Sequence, residues 1–352
     1  MNLELLAKQA EESLLFTAPI LGPHLKRFLA EEGGRIRELA QRAIHDGVRH
    51  FYWVGCGNSY VNLWSAKYLL DRFSATASDA YPAYDFIWRN PGRLGRDSWV
   101  FLASFSGATE DTVAALRHAN ERGATTISIV NSKGSLMGRE ADITFEYDSK
   151  ALYILPLAAV YVFVLEYCRL RGVESCAALL RGLEELPSLL TSQYSDERAG
   201  ALERAESVAE ETVFYTLGTG PLYGLAYKFG LTVFMENMRV HGSFIDTTEF
   251  RHGPVEMLDR GRATFVVLAG NDETRPMTDR VIGILEERKM TTLVFDMKKY
   301  GEVHPLLAPF VLMVPLQWFA VYSAFLRGIT DLDERVLMGH GILGKGDGVT
   351  WP

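Results

Sequence analysis

The chain is predicted to be an α/β protein built from two tandem units, each a five-stranded parallel sheet wound with helices on both faces. Three observations predict it. Short, continuously apolar runs alternate with helical spacers, which is the pattern of parallel strands covered on both sides. The pattern occurs twice, and the first run of each copy ends in a glycine pair, Gly55 and Gly57 in one and Gly218 and Gly220 in the other. The length of 352 residues exceeds what one core usually serves and suits two domains.

Residues 1–46 read as a polar helical segment, with Ala, Glu, Leu and Arg prominent. A first domain is expected over 47–190, with strands at 50–55, 98–104, 125–131 and 142–147, a weaker one at 76–81, and a closing helix near 152–170. A second is expected over 191–340, with strands at 213–220, 240–246, 263–270, 291–297 and 309–315 and a closing helix near 317–328. Residues 341–352 form a C-terminal tail, and each domain is a doubly wound, flavodoxin-like unit. The apolar run 151–165 contains Pro156 and falls short of the roughly 20 residues a membrane span needs. It is expected to be a buried or subunit-interface helix.

Hydrophobic residues make up 48% and charged residues 23%, an ordinary globular composition. The net charge of −8 argues against nucleic-acid partners, so an anionic ligand would be held by local dipoles rather than by a basic field. Three cysteines (Cys56, Cys168, Cys176) are an odd number without metal-ligand spacing, which suits a reduced, cytoplasmic setting. Residues 1–12 are mixed polar and charged, so neither a signal segment nor a membrane anchor is expected. The eight histidines show no HxH or HExxH pairing, and GxxxxGK[ST] does not occur. No metal and no cofactor are expected.

Ligands of such folds bind at the carboxyl edge of the sheet, in the strand-to-helix turns. One such turn carries Gly55, Cys56, Gly57, Asn58 and Ser59; another carries Ser104, Ser106 and Thr109 and leads into a helix. Hydroxyls there can donate to phosphate oxygens, and a helix start adds free N–H groups and a favourable dipole. The alternative is that the Ser and Thr residues only cap the helix. A second constellation places Glu236 at the end of the apolar helical stretch 223–235, sixteen residues before His252 in a Gly-Pro turn. A carboxylate and an imidazole are the base and acid that proton transfer at a sugar carbonyl requires. The plainer alternatives are an ion pair of Glu236 with Arg239 and a turn-forming role for His252. Glu249 and Glu256 flank His252 and could orient its ring, and Cys56 is read as a packing residue.

At these residues the chain resembles the sugar isomerase (SIS) family, which includes the isomerase half of glucosamine-6-phosphate synthase. Within it the chain is most similar to fructosamine-6-phosphate deglycases of the fructoselysine-6-phosphate type. The matching stretches are GCGNSY (55–60), FIWRNPGRLG (86–95), SFSGATEDT (104–112), FMENMRVH (234–241), EFRHGPVEM (249–257) and NDETRP (271–276). The resemblance implies that Ser59, Ser104, Ser106 and Thr109 hold a substrate phosphate, with Gly57 and Asn58 in support. It implies Glu236 as general base and His252 as an acid contributed by the neighbouring subunit of a homodimer, with a dimer of dimers left open. Val233 stands where the synthase carries a lysine, which favours a deglycase that releases glucose 6-phosphate and an amine. An aldose–ketose isomerase or amino-sugar-phosphate deaminase, and a non-catalytic sugar-phosphate-binding module, are the other readings. The stretch 330–338 departs from the basic, aromatic tail of the deglycases, and 146–153 is shorter than in them.

Overall fold

The computed structural model describes residues 2–259, 261–335 and 337, so the tail 341–352 lies outside the described residues. The chain divides into two compact units within the helix Ser175–Asp196. Residues 23–184 form one unit, and residues 185–335 together with 1–22 form the other.

The first unit holds strands β1 (His50–Gly55), β2 (Ala77–Pro82), β3 (Ser98–Ser104), β4 (Thr125–Val130) and β5 (Ile143–Glu146). All pair in parallel in the order β2-β1-β3-β4-β5, so the chain reverses its direction of travel across the sheet between β1 and β3. The central strands are buried on both faces, which is why they read as unbroken apolar runs. Alternate side chains serve the two faces. Phe51, Trp53 and Phe101 pack against Phe163 of the helix Ile154–Leu170, with ring centroids 4.6–6.3 Å apart. Tyr52, Val54, Val100 and Leu102 face the other way, into a cluster with Phe86, Leu116 and Met137.

The helix Ile154–Leu170 is the apolar run singled out in the sequence, and its residues 154–168 are buried within the single chain. Of the two expectations for this run, a buried helix or a subunit-interface helix, the structure shows the buried one, packed on its own sheet. Its one buried charge, Glu166, is matched by Arg169 through two hydrogen bonds of 2.7 and 2.8 Å, which hold the carboxyl below its usual range.

The second unit holds β6 (Val213–Gly218), β7 (His241–Asp246), β8 (Thr264–Ala269) and β9 (Thr291–Asp296), parallel in the order β7-β6-β8-β9. Here the sequence reading needs correction: the sheet has four strands among the described residues, and 309–315 is helical. That stretch forms the helix Ala308–Val311 and the start of the helix Met313–Leu326. Pro309 and Pro315 explain the difference. Each sits in the first turn of a helix, where its missing N–H is harmless, whereas a central strand would lose a ladder bond at each. The helical stretch Pro305–Leu326 is long and apolar enough to cross a membrane, yet it is wholly buried as a core element. Phe319 on it meets Phe234 and Phe295 at 6.1 and 5.9 Å.

Candidate functional site

The hydroxyl loop stands where β3 ends, beside the end of β1, at the point where the strand order reverses. Such a switch point opens a crevice at the carboxyl edge of an open parallel sheet. Ser104 Oγ lies 2.7 Å from Thr109 Oγ1, and Ser106 Oγ lies 3.4 Å from each, so the three hydroxyls converge. Backbone donors fix two of them: Gly107 N–H donates to Ser104 Oγ at 3.1 Å and Ala108 N–H to Ser106 Oγ at 3.2 Å. Gly107 adopts φ +59°, and a Cβ there would run into Ser135, so only glycine lets the loop fold this tightly.

Thr109 occupies the N-cap position of the helix Glu110–Glu121 but makes no capping bond; its hydroxyl turns to Ser104 instead. A plain cap would instead spend its oxygen on the helix N–H groups. Ser59 lies half-buried in the first turn of the helix Gly57–Phe73, with its N–H donating to Cys56 O at 3.0 Å, and Asn58 is half-buried beside it. Gly57 opens that helix at φ +50°.

One acidic group near the loop, Asp111, is tied back. Cys56 Sγ donates to Asp111 Oδ2 at 2.9 Å, which links the turn after β1 to the helix after β3. Burial and this bond push the thiol up to about 12, so Cys56 stays protonated and serves packing, not nucleophilic attack.

The second constellation belongs to the other unit. The stretch 223–236 is not one α-helix: α-turns at Tyr223–Tyr227 and Phe234–Glu236 flank a π-helical turn, Lys228–Val233. The widening follows from close contact with the sheet. A Cβ on Gly230 would collide with the backbone of Ser243 and Phe244, so the helix lies directly on β7. Glu236, one-third exposed at its side chain, pairs with Arg335 Nε at 3.4 Å. Arg239 does not take it; with φ +52° it turns away to pair with Glu334 at 2.6 Å. Asn237 donates to Leu332 O at 2.8 Å, so the segment before residue 336 is fastened along this turn.

His252 is exposed in a turn closed by its N–H donating to Glu249 O at 2.9 Å. Its ring partner is Arg251, whose Nε donates to Nε2 at 3.1 Å, while Glu249 supports the turn through its backbone carbonyl. An arginine can only donate, so Nε2 accepts and the ring proton sits on Nδ1, available as a donor. Within one chain the base and acid candidates are not brought together. Glu236 precedes β7 and His252 follows it, and six strand residues separate the two edges by about 17 Å.

Arg335, Arg251 and Lys228 have no place in the sequence-based site. The first lies far along the chain from Glu236 and carried no local signal. A lone lysine in an apolar helical stretch was the signal that could have flagged Lys228.

Two parallel sheets of this topology, each with a switch point in its strand order, define a tandem doubly wound α/β protein. The SIS domain family matches residues 47–170. The chain is 32% identical to fructosamine deglycase FrlB of Bacillus subtilis (strain 168), over 78% of this chain and 86% of that one. It is 29% identical to fructoselysine 6-phosphate deglycase of Escherichia coli (strain K12), over 90% and 93%. In fold it matches the C-terminal domain of glucosamine-fructose-6-phosphate aminotransferase from Francisella tularensis, with a TM-score of 0.79 at 20% identity, over 93% and 99% of the two chains. The chain belongs to the SIS family, and within it the chain is an enzyme of the deglycase type.

Proposed function

We propose that the protein cleaves a 1-amino-1-deoxyfructose 6-phosphate into glucose 6-phosphate and a free amine. The relationship to deglycases along most of the chain carries this reading. The converging hydroxyls of Ser104, Ser106 and Thr109, joined by Ser59, would hold the phosphate. In the open-chain sugar C1 lies between the amine and the C2 ketone, so its proton is acidic. Glu236 removes that proton while His252 donates one to the C2 oxygen, giving an enaminol. Return of the proton to C2 leaves a C1 imine. Water then adds to C1, the C–N bond breaks, and the aldehyde and the amine separate.

The positions of Glu236 and His252 beyond opposite ends of β7 support a homodimer in which each site takes its base from one chain and its acid from the other. Incubation with a panel of fructosyl-amine 6-phosphates should yield glucose 6-phosphate and amine in equal amounts. Interconversion of glucose 6-phosphate and fructose 6-phosphate, with no amine released from any member of the panel, would assign the chain to the aldose–ketose isomerases instead.

A further inference from the structure

Thr109 holds the N-cap position of the helix Glu110–Glu121, where a threonine oxygen ordinarily accepts from the second or third helical N–H. The third of these belongs to Thr112, and it is already taken: Thr112 N–H donates to Asp111 Oδ1 at 2.9 Å. Thr109 makes no capping bond, and its Oγ1 lies 2.7 Å from Ser104 Oγ and 3.4 Å from Ser106 Oγ. Thr112 is 1% exposed, so water cannot easily stand in for a missing acceptor. An unserved N–H there is costly, and one of the two side chains has to meet it.

A second contact keeps Asp111 at this post. Its Oδ2 accepts from Cys56 Sγ at 2.9 Å, and Thr112 Oγ1 donates to the same sulfur at 3.7 Å. The carboxylate is thereby held at both oxygens, one on the helix start and one on the turn after β1. We infer that Asp111 is a positioning residue for the cradle: by capping the helix in place of Thr109, it leaves the Thr109 hydroxyl to the substrate phosphate. The inference rests on the reading of Thr109 as a phosphate ligand. Without the Asp111 oxygen, the Thr112 N–H draws the Thr109 hydroxyl back to the ordinary capping geometry. Phosphate binding then has to reverse that preference, which corresponds to about a fivefold weaker Kd. Electrostatics alone gives the opposite sign, because removing a carboxylate close to an anion site favours the anion.

The test is calorimetric titration of glucose 6-phosphate into full-length Asp111→Ala, Thr109→Ala and the double variant. Asp111→Ala should raise Kd by about threefold or more on its own. In the Thr109→Ala background, with no hydroxyl left to divert, the same change should leave Kd unchanged or lower it. Melting temperatures should report the same exchange. Each single variant keeps one cap and the double variant has none, so its loss should exceed the two single losses added. A rise below about threefold or tighter binding in Asp111→Ala, beside a weakened Thr109→Ala, would overturn the role of Asp111 alone. Additive melting temperatures, or an equal loss of affinity in both backgrounds, would do the same, since either marks a loop loosened as a whole. Thr109→Ala with the Kd of wild type would instead overturn the phosphate reading beneath it. If Asp111→Ala does not fold, Asp111→Asn decides, because it keeps an oxygen for the Thr112 N–H. Its Kd should rise less than about threefold, and a larger rise contradicts the inference.

Discussion

Replacing Thr109 by Ala separates a phosphate cradle from a helix cap. Thr109 stands at the N-cap position of the helix Glu110–Glu121, where loss of a capping oxygen costs about 1 kcal/mol, a fall in melting temperature of roughly 2–4 °C for a unit of this size. Its oxygen makes no such bond; it lies 2.7 Å from Ser104 Oγ and 3.4 Å from Ser106 Oγ. The substitution should therefore change stability by less than about 0.5 kcal/mol. Binding should respond much more strongly, because a hydrogen bond to a charged phosphate is worth about 1.5–3 kcal/mol. That range corresponds to a roughly 13- to 150-fold weaker Kd for sugar phosphate. Calorimetric titration with glucose 6-phosphate, alongside thermal unfolding of the free protein, measures both quantities on one sample. A Kd within about twofold of wild type, together with a melting temperature lowered by several degrees, would refute the reasoning and return Thr109 to capping.

Three further outcomes are expected. Glu236→Gln keeps shape and removes the base, so turnover should drop by about 10²–10⁴-fold with little change in unfolding; a folded variant with near-normal turnover would leave Glu236 as a mere partner of Arg335. Inactive Glu236→Ala and His252→Ala chains, refolded together, should recover about a quarter of wild-type activity, since half of randomly paired dimers are mixed and each mixed dimer has one intact site of two. Native mass spectrometry checks the pairing, and mixed dimers without activity would sink the shared site. With its thiol pushed up to about 12 from 9.0, Cys56 should react with iodoacetamide at pH 8 about a thousandfold more slowly than a free peptide thiol, the ratio of thiolate fractions. Quantitative labelling within minutes, read by peptide mass spectrometry, would show that Asp111 does not hold the proton on sulfur.

Much of this architecture is legible in the sequence because parallel strands buried on both faces leave an uninterrupted apolar signature. The runs at 50–55 and 98–104 coincide with β1 and β3 for that reason. The same signature misleads at 309–315, where a helix buried on every side is equally apolar; the two prolines were the discriminating mark. The chemical turns are readable because glycine and hydroxyl residues at a strand end have few other uses. The partners of Glu236 are not readable. Local spacing points to Arg239, but the left-handed backbone at that residue swings it to Glu334, and Arg335 arrives from a distant segment. Nor does residue periodicity betray the π turn, which follows from Gly230 settling on β7, a tertiary contact.

That contact has a mechanical side. Helices usually rest on sheets through interleaved side chains, which can shift among rotamers and let the two layers slide. Between Gly230 and the backbone of Ser243 and Phe244 no side chain intervenes, so nothing there can yield. The backbone that leads to Glu236 is thus seated about as stiffly as the sheet itself. Were Glu236 the base, as proposed, the backbone that carries it would be placed once, when the chain folds, rather than at each turnover.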